Sequence, residues 1–144
     1  MEHNNLLDRK LLEMLVHAAA GEAAAMEFYK NLSEMLVAED DRKLVRDIAL
    51  DEAKHRRLFE ELFTSLSGER MPPLPQLQDE PTTPTGSFPS IFEDRIKDEL
   101  RDVEFYRQIY FALVNLDYRD ILFEIITDEL RHAHFMTYLY AKYR

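Results

Sequence analysis

The chain is 144 residues long and 46% apolar, with no cysteine and a net charge of −10. That length suffices for one domain with a real core, and the missing cysteine excludes disulfides, thiolate metal sites and iron–sulfur clusters. The acidic balance argues against a nucleic-acid binder or a partner of anionic membranes. No run approaches membrane-spanning length and "MEHNNLLDRK" has no apolar leader, so a cytoplasmic protein is expected.

Alanine, leucine, glutamate, lysine and arginine dominate the composition, which predicts an all-α fold. Apolar residues recur at helical spacing from Leu6 to about Val37, among them Leu7, Leu11, Leu15, Tyr29 and Leu32. A second helix is expected from about Asp40 to Ser67, with Gly68 placed to cap its end. All six prolines fall between positions 72 and 89, so residues 69–89 cannot be helical. Ser90 with Glu93 reads as a capping box opening a third helix to about Val114. "NLDYRD", 115–120, reads as a short break before a fourth helix ending near Tyr140. The expected architecture is one domain over 1–144: hairpin one at 6–68, a long proline-rich crossover at 69–89, and hairpin two at 90–141.

The two hairpins are copies. "EAAAMEFYK" at 22–30 matches "ELRDVEFYR" at 99–107, and "IALDEAKH" at 48–55 matches "IITDELRH" at 125–132. Glu22 to Glu99 is 77 residues, and so are Glu52 to Glu129 and His55 to His132. The midpoint of Glu22 and Glu52 falls at the first predicted turn, and that of Glu99 and Glu129 at the second break. Each hairpin therefore sets two glutamates at one height, with a histidine three residues on along the same helix face.

Four carboxylates facing one another in a core repel and resist ionisation. Two divalent cations between them make the site neutral. Carboxylate and imidazole donors suit iron or manganese and leave positions open for water, oxygen or peroxide. One glutamate from each of two helices, plus Glu-x-x-His from each of the other two, is the donor set of di-iron and di-manganese bundles.

On Glu22, Glu52, His55, Glu99, Glu129 and His132 the chain resembles the ferritin-like superfamily and, within it, the rubrerythrin-like branch. The resemblance covers all four helices. It implies a four-helix bundle of up-down-down-up order, two iron ions (manganese being the alternative), and bridging roles for Glu52 and Glu129. It also implies support of the ligands by Tyr29 and Tyr106, and of each histidine by the aspartate of the other motif, Asp51 or Asp128. The implied activity is peroxidase or ferroxidase chemistry on H₂O₂ or O₂ in oxidative-stress or iron handling. Without cysteine the chain has no rubredoxin module, so an external donor such as a separate rubredoxin-like protein is expected; a homodimer is compatible with the pattern.

Rubrerythrins carry a further glutamate three residues beyond the third-helix ligand, where this chain has Asp102; its repeat position is Ala25. Asp102 is balanced between a role beside the ligands and ordinary polarity. His3, His17 and His134 have no place in the repeat and are given no role. Glu27 and Glu104 recur, but about 140° around the helix from the ligands, and are expected at the surface. The alanines at 18–20 and 23–25 suit close packing or an access channel. Three other readings remain: iron storage or delivery without turnover, a di-iron or manganese–iron oxidase of an organic substrate, and an interaction module with a vestigial site.

Overall fold

Four helices form: α1 Glu2–Met35, α2 Glu39–Ser67, α3 Phe88–Ala112 and α4 Leu116–Tyr143. The computed structural model describes residues 2–144, with side chains from Leu6 onward, so the side chain of His3 lies outside it. No strand occurs among the described residues, and no helix there is long and apolar enough to cross a membrane.

The ends of the helices follow local chemistry. Gly68 adopts the left-handed conformation (φ 74°) and returns its N–H to Thr64, as the C-terminal glycine of a helix does. The third helix starts at Phe88, not at Ser90. Its cap is Ser87, whose Oγ accepts from the Ser90 amide at 3.3 Å. Pro89 is harmless there because the first-turn amides have no intrahelical partner to lose. The break before the fourth helix lies at 113–115, not 115–120. Asn115 Oδ1 accepts from the amides of Asp117 and Tyr118, so helix resumes at once. Leu7, one of the apolar positions at helical spacing, is 62% exposed; it lies level with the last residue of α2, at the end of the bundle.

Helix directions can be read from side-chain pairs. Tyr29 meets Glu99 while Glu22 meets Tyr106, so a step up α1 is the same step down α3. Likewise Asp51 meets His132 and His55 meets Asp128, so α2 and α4 run antiparallel. Since α1 is also antiparallel to α2, α2 and α3 run parallel. Residues 69–87 must therefore travel the length of the bundle, which is the expected up-down-down-up order. Met71 packs in the core cluster of Leu15, Phe63 and Leu122 at one end. Asn31 Nδ2 donates to the Thr82 carbonyl at 2.7 Å nearer the other. Between these points Leu74–Thr82 runs beside Ala20, Ala23 and Ala24, so these small residues make room for the crossover.

Two apolar clusters fill the interior. One joins Leu15, Phe59, Leu62, Ile109 and Leu122, and the other Leu32, Val45, Ile48, Phe92 and Met136. Between them the core is polar: Glu22, Glu52, His55, Glu99, Glu129 and His132 are each at most 1% exposed.

Candidate metal centre

A polar layer sandwiched between apolar ones is costly unless something compensates it. α1 contributes Glu22, α2 Glu52 and His55, α3 Glu99, and α4 Glu129 and His132. Their donor atoms form two clusters, each within 4.8 Å: Glu22, Glu52, His55 and Glu129, and Glu52, Glu99, Glu129 and His132. Glu52 and Glu129 belong to both, as carboxylates shared between two cations would.

The histidines are oriented by their outer nitrogens. His55 Nε2 lies 2.8 Å from Asp128 Oδ2, and His132 Nε2 lies 2.9 Å from Asp51 Oδ2. A neutral imidazole donating Nε2–H to an aspartate turns the lone pair of Nδ1 inward. His55 Nδ1 then stands 3.0 Å from Glu129 and 3.6 Å from both Glu22 and Glu52. His132 Nδ1 stands 3.0 Å from Glu52 and 3.6 Å from both Glu99 and Glu129. The aspartates are held in turn: Lys54 Nζ is 2.8 Å from Asp128, and Arg131 bridges Asp51 at 2.8 Å and Asp128 at 3.2 Å.

On the opposite side the tyrosines cross between hairpins. Tyr106 donates to Glu22 Oε1 at 2.5 Å, and Tyr29 donates to Glu99 Oε1. Each of these glutamates keeps Oε2 without a partner, turned into the cluster. Arg95 lies behind Tyr29. It was not singled out from the sequence because it has no counterpart in the repeat. Lys54 and Arg131 were missed although they obey the 77-residue offset.

The residues fit a cation pair. Nine buried side-chain polar atoms among the described residues lack a hydrogen-bond partner, and all but Arg42 Nε belong to the six residues of this layer. Native interiors rarely strand so many donors and acceptors together without an ion to take them. Without metal the charges rearrange. Burial, then the Glu52 charge, drives the Glu22 carboxyl well above its ordinary range. Burial and the charges of Glu22 and Glu52 do the same to Glu129. Burial opposes a charge on His132, but the Asp51, Glu52 and Glu99 carboxylates overcome it and carry the imidazole up to about 12. His55 is likewise carried against burial to about 10 by Asp128 and Glu22.

Asp102 stands outside both clusters and lines a cavity of about 390 Å³ with His17, Gly21 and Tyr106, roofed by Leu77–Glu80. Burial, then the Glu99 charge, raises its carboxyl well above the usual range. His17 is exposed and meets the Phe105 ring edge-on at 5.5 Å. His134 is exposed with Nδ1 on the Leu130 carbonyl, and Glu27 and Glu104 are at the surface.

Comparison with known proteins bears on the family and the fold. The rubrerythrin family model matches residues 13–86, the first hairpin with the crossover. The uncharacterized protein YhjR of Bacillus subtilis (strain 168) is 30% identical over 131 residues, which is 91% of this chain and 87% of that protein. A hypothetical protein from Pyrococcus furiosus shares the fold, with a TM-score of 0.77 at 23% identity over 91% of this chain and 88% of its own. With its duplicated glutamate and histidine layer, the chain belongs to the rubrerythrin family.

Proposed function

We propose that this chain is a cytoplasmic di-iron protein that reduces peroxide or dioxygen, a peroxidase or ferroxidase of rubrerythrin type. The observation carrying this reading is the set of eight orphaned donor atoms, all on the six residues of two overlapping clusters. When bound, a ferrous pair supplies the two electrons needed to break an O–O bond; manganese is the alternative metal. The chain's own residues do the rest. Glu52 and Glu129, common to both clusters, would be shared between the two cations, Glu22 and His55 would hold one of them, and Glu99 and His132 the other. Asp51 and Asp128 fix the imidazole tautomer, and the tyrosine hydroxyls restrain the carboxylates that are not shared. The cavity beside Tyr106 admits a small oxidant, and at its wall lies the Asp102 carboxyl, which burial pushes well above the ordinary range. With no cysteine in the chain, the electrons that reset the pair come from a separate rubredoxin-like carrier.

Metal analysis of anaerobically purified protein tests the centre, with about two irons per chain expected. Stopped-flow mixing of the ferrous protein with H₂O₂ and with O₂ tests the activity. Faster oxidation by peroxide supports a peroxidase, and faster oxidation by dioxygen a ferroxidase. Purified protein without stoichiometric metal would overturn the reading in favour of an interaction module.

A further inference from the structure

The ligands obey the repeat, but their surroundings do not. On α3, Arg95, Asp98 and Arg101 stand where α1 has Ala18, Gly21 and Ala24, each 77 residues earlier. The crossover breaks the symmetry of the two halves, passing over the bundle once: Leu74–Thr82 runs beside Ala20, Ala23 and Ala24 of α1, and Leu77–Glu80 beside Asp98, Arg101 and Asp102 of α3.

Arg95 is 2% exposed. Its Nη2 lies 3.8 Å from Glu99 Oε1, and its Nε donates at 3.2 Å to the Tyr29 hydroxyl, which itself donates to that glutamate oxygen. The rings of Phe28 and Tyr29 flank the guanidinium at 4.9 and 4.8 Å. Asp98 accepts from Nη1 at 3.2 Å, but its other oxygen is taken by the exposed Arg101. Arg101, Asp98 and Arg95 together therefore bring one net positive charge against Glu99. Glu22 meets only Tyr106 and His55 in the corresponding place, with Ala18 where Arg95 would be. Asp102 carries the opposing acid on α3 but forms no hydrogen bond or ion pair with Arg95 among the described residues.

A buried cation this close draws carboxylate charge away from a bound metal and repels the metal directly, in surroundings where water screens poorly. We infer that Arg95 makes the two metal positions unequal: the Glu22–His55 position fills first, and the Glu99–His132 position, facing the guanidinium, binds its cation more weakly. The inference rests on the metal-centre reading above.

Cobalt(II) titration of the metal-free protein, followed by absorbance and calorimetry, tests it. The wild type should load in two steps separated by at least about tenfold in affinity. Glu99→Ala, which leaves the Glu22–His55 position, should keep the tight step, and Glu22→Ala only the weak one. Arg95→Met should draw the two steps together and Arg95→Lys should keep them apart, a rescue that a purely structural role would not show. Should Arg95→Met fail to fold, the two glutamate variants decide alone. Equal affinities in the wild type, or equal affinities of the two glutamate variants, overturn the inference and leave the metal centre standing. So does a gap that closes in Asp102→Asn and persists in Arg95→Met. No cobalt binding by the wild type would overturn both.

Discussion

His55 on the first hairpin takes its orientation from Asp128 on the second, at 2.8 Å, and the reciprocal pair is His132 with Asp51 at 2.9 Å. Neither hairpin can therefore aim its own histidine. Asp128→Asn keeps the shape but lets the side-chain amide present an N–H to Nε2, favouring the wrong tautomer. Metal affinity should fall about 10- to 100-fold, with helix content unchanged. Cobalt titration beside circular dichroism checks this, and an undiminished affinity would remove Asp128 from the centre.

The shared carboxylates separate metal binding from folding. Glu52→Ala removes a donor from both clusters, and should cost most of the bound metal at both positions. Glu129→Gln makes the sharper test. In the metal-free protein burial and the charges of Glu22 and Glu52 already drive Glu129 toward its neutral form, which glutamine imitates. Metal-free stability should stay within about 1 kcal/mol of wild type, while the stabilisation conferred by metal disappears. Thermal melts with and without metal measure both effects.

Protons and metal compete for the same atoms. At neutral pH the metal-free protein holds protons on His55, with its value near 10, and on His132, near 12. Ligation needs both Nδ1 atoms free and the Glu22 and Glu129 carboxyls ionised, so loading must expel the histidine protons and those of the carboxyls, at least about two per chain at pH 7. Acidification should release the metal. For the metal-free fold the sign is set by raised histidines. Their contribution is full below the ordinary value of 6.5 and is lost as pH rises through about 10 for His55 and about 12 for His132, so metal-free protein weakens toward alkaline pH. Calorimetry in buffers of different ionisation enthalpy counts the protons; a count of zero would remove the histidines from the ligand set.

The six residues of the buried polar layer were legible because duplication writes them twice at one offset, and helical geometry then brings them to one level. Tyr29 and Tyr106 were legible on the same ground. Arg95 was not, because it departs from the repeat, with Ala18 standing 77 residues earlier. Lys54 and Arg131 keep the offset, yet charged residues on a helix read as solvated surface until Asp51 and Asp128 are seen beneath them. The start of α3 was misplaced because Pro89 was read as a breaker, whereas at a helix's first turn proline costs nothing.

The path of the crossover can be measured without the metal. With no native cysteine, Ser65→Cys and Ser90→Cys can be spin-labelled cleanly; both positions are exposed. They lie on parallel helices at opposite ends of the bundle, separated by about 22 residues of helical rise, or about 33 Å. Electron–electron resonance should give a distance near that value. A separation of about 15 Å or less would make α2 and α3 antiparallel and undo the topology.

Gly21 offers a way to separate access from binding. It sits in the middle of α1, where glycine costs about 1 kcal/mol relative to alanine, next to Glu22 of the buried polar layer. A Cβ built on it would meet nothing within 4 Å, because it faces the cavity beside Tyr106 and Asp102. Gly21→Ala should therefore raise stability by about 0.5–1 kcal/mol, with metal content unchanged. Gly21→Phe should project a ring into the space of about 390 Å³ and obstruct a small oxidant's approach. Oxidation of the ferrous protein by H₂O₂ should slow by about tenfold or more, equivalent to about 1.4 kcal/mol in the barrier, while iron stoichiometry and cobalt affinity stay at wild-type values. An unchanged rate in Gly21→Phe, with the phenyl ring seen in the cavity by crystallography, would mean that the oxidant reaches the centre by another face.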